Sequence, residues 1–384
     1  MDTGFFERRF SRRGTNCLKW DALETIYGNP EAIPMWVADM DLPILPEITR
    51  ALQARIGHPV YGYFLDDPGE KAAFRHWMRT RHQWEVEEEA VRWMPSVLTT
   101  VRSGVEIFTR PGEKVMIMPP VYPPFWSIPR KMGRELVLCP LLETDEGWRM
   151  DLDTAEKLLG EGCRTLILCS PHNPVGRVWT EEELTALVRL FAAYGGRIIA
   201  DEIHHDIVMP GHRHTSILRI KGAEEITLSA VSATKTFNIA GLQISAAVLP
   251  PFIREEFNSL AEKWGFSGGN ELAHTAQAAA YRYGAPWLDA LLCHLDENRR
   301  MLEEALAADF PGVSMSRLEG TYLAWLDFRG TAIPPETLSE RAARAGVAAG
   351  RGDDFGGPGF LRYNLACTHA QLAASLERLK NIMV

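Results

Sequence analysis

Short apolar runs alternate with longer segments of helical period through the middle of the chain. Lys114–Met118 (KVMIM), Glu135–Cys139 (ELVLC), Thr165–Cys169 (TLILC), Arg197–Ala200 (RIIA), Glu225–Ala230 (EITLSA) and Ile244–Leu249 (ISAAVL) read as strands. Most are apolar throughout rather than alternating, the pattern of strands in a sheet covered on both faces. Between them, Thr180 followed by Glu183 is a capping box opening the helix TEEELTALVRLFAAYG, which stops at Gly195-Gly196. This βαβ rhythm predicts an open, mostly parallel α/β sheet.

After about Asn270 the texture becomes helical, in ELAHTAQAAAYRYG and PWLDALLCHLDENRRMLEEALAADF. A strand pair follows at Thr321–Phe328 (TYLAWLDF) and Phe360–Leu365 (FLRYNL), and Thr368 with Gln371 caps a closing helix. The Gly-rich stretch Gly350–Gly359 reads as a loop. The expected organisation is a large α/β domain over residues 46–284. A smaller α+β domain would come from residues 1–45 and 285–384.

Composition narrows the function classes. The 384 residues carry 41 Lys+Arg against 50 Asp+Glu, a net charge of −9, with no cationic stripe for nucleic acid or a membrane surface. No apolar run reaches the roughly 20 residues that span a bilayer, and the charged N-terminus lacks a signal-peptide core, so a cytoplasmic location is expected. Cys17, Cys139, Cys163, Cys169, Cys293 and Cys367 contain no C-x-x-C pair, and several lie in apolar runs. Buried reduced thiols are expected rather than disulfides or a zinc site.

Candidate chemistry gathers where predicted strands end. In Ser232-Ala233-Thr234-Lys235, directly after EITLSA, Lys235 is placed to form a Schiff base with a carbonyl cofactor while Ser232 and Thr234 bind a phosphate. Asp201 ends RIIA; a carboxylate buried there needs a cationic partner, which a pyridinium nitrogen would provide. Each also has a plainer reading, as a solvated lysine and a helix-capping aspartate. Asn173, between prolines in SPHNPVG, suits a ring hydroxyl, or an ordinary Asn-Pro turn. Tyr122 in PPVYPP could stack on a flat ring. Arg362 in FLRYNL could clamp a substrate carboxylate. His204, His205, His212 and His214 make a poor metal set, since adjacent histidines point apart and no H-E-x-x-H spacing occurs.

In one order, the segments RRGTNCLKWD, MWVADMD, HPVYGY, PPVYPP, SPHNPVGRVW, ADEIH, SATKTFNIAG, EGTYLAWLDF and RYNLAC resemble the pyridoxal-phosphate enzymes of the class I/II aminotransferase superfamily. Within it they are most similar to the cystathionine β-lyase (C–S lyase) branch related to the maltose-regulon modulator protein. The resemblance implies the fold-type I architecture and pyridoxal 5'-phosphate as cofactor. It makes Lys235 the Schiff-base lysine, Asp201 the partner of the pyridine nitrogen and Tyr122 the residue stacked on the ring. Asn173 and His204 would meet the ring hydroxyl. Ser232, Thr234 and the backbone amides of Val97 and Leu98 would hold the phosphate. Arg362 would bind the substrate α-carboxylate, with Asn173 nearby. Tyr61 would reach the phosphate and substrate of a neighbouring subunit, which implies a homodimer. The chain departs from its relatives in having Ser96 where they carry Gly, and Thr368-His369 where they carry a proline and a basic residue.

The implied activity is α,β-elimination of L-cystathionine or related cysteine S-conjugates to a thiol, pyruvate and ammonia. An aminotransferase would share the same cofactor residues. A purely regulatory binding protein would have no need of Lys235 and Asp201.

Overall fold

The computed structural model describes residues 4–65, 67–266 and 268–383. A seven-stranded sheet runs in the order Val91–Met94, Ser245–Val248, Thr227–Val231, Arg197–Asp201, Thr165–Cys169, Lys114–Ile117, Glu135–Leu138. Its last five strands pair in parallel. Ser245–Val248 runs antiparallel to both of its neighbours. The strand Thr165–Cys169 shows why its sequence does not alternate. Leu166 and Leu168 pack into one core, Ile167 and Cys169 into another across the sheet. Both faces are covered, so every position is buried and all but Thr165 are apolar.

The predicted strands hold within one or two residues at each end. Thr227–Val231 starts two residues late because Ala223–Glu225 makes a 3₁₀ turn first. The sequence pattern misses Val91–Met94, an edge strand of only four residues. The capping box is present in full, with Thr180 Oγ1 accepting from the Glu183 amide and Glu183 reaching back to Thr180 N–H.

A five-stranded sheet runs Ile33–Met35, Val347–Arg351, Phe360–Asn364, Leu323–Asp327, Ser314–Met315. The stretch 350–359 departs from the expected loop. It finishes the strand Val347–Arg351 and forms the helical turn Gly352–Phe355. Glycine is required at 352 because any Cβ there would collide with the carbonyl of Gly357. The thiols of Cys139, Cys163, Cys169 and Cys367 are buried and free, as expected, whereas Cys293 is exposed on the outer face of the helix Ala285–Asp309.

Register places the chemistry. Cys169 lies opposite Asp201, and Asp201 opposite Ala230, across adjacent parallel strands. The turns that follow these strands therefore emerge side by side, at the carboxyl edge where α/β sheets bind ligands.

Candidate active site

Lys235 lies on the helical turn Ala233–Thr236, opened by Ser232, whose Oγ accepts from the Thr234 amide at 3.1 Å. The Lys235 Nζ donates to the carbonyl of Ala38 at 2.6 Å. Burial pushes its ammonium down to about 8, partly offset by Asp39 and Asp201. An amine near that value is still mostly protonated at pH 7, but its free-base fraction is far larger than that of an ordinary lysine.

Asp201 is 4% exposed, and its Oδ1 accepts from the Ile203 amide at 3.1 Å. Burial pushes its carboxyl up to about 7, against the pull of Lys235. No salt bridge reaches it among the described residues. A carboxylate left this way at a strand end is the unpaired acid that a cationic ring nitrogen would complete.

His204 is buried, with Nδ1 lacking a hydrogen-bond partner and its ring 5.9 Å from Tyr322, edge to face. Burial, then Lys235 and Arg362, hold the imidazole well below its ordinary value, so it is neutral. Arg362 is buried too. Its Nη1 donates to Asn173 Oδ1 at 3.1 Å and its Nη2 to the Trp36 carbonyl at 2.6 Å, while Nε has no partner. The guanidinium lies over Phe355, 4.6 Å from the ring centroid. Burial draws it down to about 10, opposed by Tyr122 and other nearby phenols, and it stays charged at neutral pH. Tyr122 begins the helix Pro123–Lys131 half-buried, its phenol raised by burial and by nearby Asp201.

Lys235, Asp201, His204, Asn173, Arg362 and Tyr122 thus form one cluster. Val97 and Leu98 open the helix Val97–Phe108, whose first amides have no acceptor within the helix. That helix sits tightly on the sheet: a Cβ at Gly104 would stand 2.9 Å from Ile199 Cγ1. Ser96 caps it, with Oγ accepting from the Thr99 amide at 3.1 Å. The Ser232 hydroxyl is engaged locally, with the Ile244 carbonyl at 2.6 Å and Thr234 Oγ1 at 2.8 Å. Tyr61 stands apart, 58% exposed, its hydroxyl donating to the Ile56 carbonyl at 3.0 Å.

Sequence reasoning missed the strap over this cluster, residues 36–41. The Ala38 carbonyl accepts from both Lys235 and the Tyr322 hydroxyl, the latter at 3.0 Å. Asp39 and Asp41 are held by Arg12 at 2.6 and 2.7 Å, and buried Lys19 lies 2.9 Å from Asp41. The opposite charges inside LKWD and WVADMD were the available signal. The carbonyl of Ala38 had none, because every residue has one.

Residues 39–379 match the family described as aminotransferase class I and II. The chain belongs to this family. It is 39% identical to cystathionine β-lyase PatB of Bacillus subtilis over 381 residues, covering 98% of each chain. Protein MalY of Escherichia coli is 32% identical over 383 residues, again at 98% of each. Cystalysin of Treponema denticola, solved with pyridoxal 5'-phosphate, superposes with a TM-score of 0.93 at 32% identity, covering 98% of each chain. The α/β fold expected from the sequence is that of this family.

Proposed function

We propose that the chain is a pyridoxal-phosphate-dependent C–S β-lyase acting on L-cystathionine or a related cysteine S-conjugate. The observation that carries the reading is buried, unpaired Asp201 in one cluster with Lys235 and Arg362. The polar atoms left without partners, His204 Nδ1 and Arg362 Nε, fit a flat group with a ring hydroxyl beside an amino-acid carboxylate. Lys235 would anchor the aldehyde, Asp201 would keep the ring nitrogen protonated, and Tyr122 would cover the ring face. Asn173 and His204 would meet the ring hydroxyl. The amides of Val97 and Leu98 would take the phosphate with Ser232 and Thr234. Bound there, the cofactor supplies an electron sink for negative charge at the substrate Cα.

The protein's own groups account for the remaining steps. Arg362 would hold the α-carboxylate, and Lys235 Nζ, freed when the substrate amine takes its place, would remove the Cα proton. The thiolate leaves Cβ, and water releases the three-carbon remainder as pyruvate and ammonia. For cystathionine, one water is consumed and homocysteine is the thiol.

We further infer that residues 46–284 form the large domain, with residues 1–45 and 285–384 forming the smaller. In support, all seven strands of the large sheet fall within the first range, and Ile33–Met35 joins strands after residue 314 in the other sheet. The exposed apolar side chains Val60, Tyr61, Tyr63 and Leu65 support a homodimer in which Tyr61 reaches the neighbouring site. Buried free thiols accord with a cytoplasmic location, and no helix among the described residues is long and apolar enough to cross a membrane.

The test is release of pyruvate and thiol from L-cystathionine by the cofactor-loaded protein without added keto acid. Equal amounts over many turnovers are expected. Turnover only when a keto acid is supplied, with no pyruvate from cystathionine, would make it an aminotransferase.

A further inference from the structure

Away from the active site, Glu7, His294 and His369 come together from three parts of the chain. Glu7 ends the 3₁₀ turn Phe5–Glu7, His294 lies in the helix Ala285–Asp309, and His369 begins the helix His369–Leu379. Their ligand atoms lie within 4.8 Å of one another, and the two imidazoles stack with centroids 4.3 Å apart. His369 is one of the positions where the sequence departs from its resemblance to the family.

Hydrogen bonding assigns the tautomers. Asn298 Nδ2 donates to the carbonyls of Leu365 and Cys367, each at 2.8 Å, so its amide orientation is fixed and Oδ1 can only accept. His369 Nδ1 lies 2.8 Å from that Oδ1 and must carry the hydrogen. Its Nε2 lies 3.1 Å from Glu297 Oε2 and 3.8 Å from Glu7 Oε1, which also accepts from the His369 amide at 2.9 Å. His294 Nε2 lies 2.8 Å from the Cys367 carbonyl and likewise carries the hydrogen. Its Nδ1 lies 4.0 Å from Glu7 Oε1.

The remaining nitrogen of each imidazole is thus the one nearer the Glu7 carboxylate, and these two nitrogens and a carboxylate oxygen gather within 4.8 Å of one another. Each ring gives its other nitrogen to an oxygen acceptor, the outer support that metal-binding histidines use to fix tautomer and orientation. We propose that Glu7, His294 and His369, with Glu297 at the rim, form a binding site for a divalent transition metal of the zinc class. Two imidazoles and a carboxylate are a borderline-soft donor set that suits zinc better than calcium or magnesium. The partly exposed Glu7, His369 and Glu297 leave an entry path and can rotate to draw the ligands in. The metal would tie the N-terminal turn to the last helix, distant from the bonds being broken, so its role is structural.

The experiment is calorimetric titration of zinc chloride into the metal-stripped, cofactor-loaded protein, with thermal melting in parallel. Wild type and C293S should each bind one zinc per chain at this site and melt higher with zinc. H369A and the shape-conserving E7Q should each lose at least about tenfold in affinity and the shift in melting. No saturable binding, or binding undiminished in both variants, overturns the proposal in favour of a protonated histidine–carboxylate cluster. The cystathionine assay reads the active site independently, so a failed metal titration leaves that reading untouched.

Discussion

Arg362 donates through Nη1 to Oδ1 of Asn173 at 3.1 Å, linking the five-stranded sheet to the turn after a central strand of the seven-stranded one. The guanidinium is thereby aimed by a neutral amide, leaving its positive charge for an incoming carboxylate. Because its Nε has no partner, a substrate carboxylate would complete its bonding under the proposed function.

Replacing that fork with a point charge tests the role. R362K keeps the charge but loses the planar geometry and the Asn173 bond. The loss of charge-assisted hydrogen bonds worth about 1.5–3 kcal/mol predicts roughly 10- to 150-fold lower kcat/KM. Steady-state kinetics on L-cystathionine should show the larger share in KM. An unchanged KM would remove Arg362 from the carboxylate site.

Lys235 yields a prediction in which activity and stability move in different directions. Its folded-state value near 8 lies below the ordinary 10.5, so the fold disfavours the charged amine. That penalty is in full force below pH 8 and fades as pH rises from 8 towards 10.5. K235M should therefore abolish pyruvate release, by at least about 10³-fold. The cofactor-free variant should nevertheless melt no lower than cofactor-free wild type at pH 7. A marked drop in melting temperature would mean that the bond to Ala38 outweighs the burial of charge.

Much of this arrangement was legible in the sequence because strand ends are legible. Uniformly apolar runs locate the central strands, and in a parallel sheet their carboxyl ends share one edge, which puts Asn173, Asp201 and Lys235 on that edge; the strand order makes them neighbours. Arg362 was harder, since its strand belongs to the other sheet and only the resemblance connected the two. The strap at 36–41 was legible only in the opposite charges of LKWD and WVADMD, and its contact with Lys235 was not. Its contribution is made by carbonyl oxygens, and it is held in place by Arg12 and Lys19 pairing with Asp39 and Asp41 from an earlier segment of the chain.

Asp201 carries the opposite sign from Lys235. Its folded-state carboxyl near 7 lies above the ordinary 3.8, so the fold favours the protonated form. In the cofactor-free protein this group costs stability progressively as pH rises from about 4 to 7, and the cost is complete above 7. A protonated ring nitrogen beside it removes that cost. The difference in melting temperature between cofactor-loaded and cofactor-free protein should therefore widen as pH rises through this range. D201N should flatten the pH dependence. A gap that stays constant with pH in wild type would mean that Asp201 faces no cation in the loaded protein.

Asn364 is the last element of the site, acting on the strap rather than on substrate. Its Nδ2 donates to the carbonyls of Val37 and Asp39, at 2.6 and 2.7 Å, on either side of the carbonyl that receives Lys235 Nζ. Removing the amide would strand two carbonyls, a cost of about 1–3 kcal/mol each where they stay shielded from water. N364A should melt several degrees lower. Because the strap also accepts from Arg362 at Trp36, the variant should raise KM for cystathionine more than it lowers kcat. A structural role alone would reduce stability and leave KM untouched, so the kinetic split decides whether Asn364 positions the site or only supports the fold.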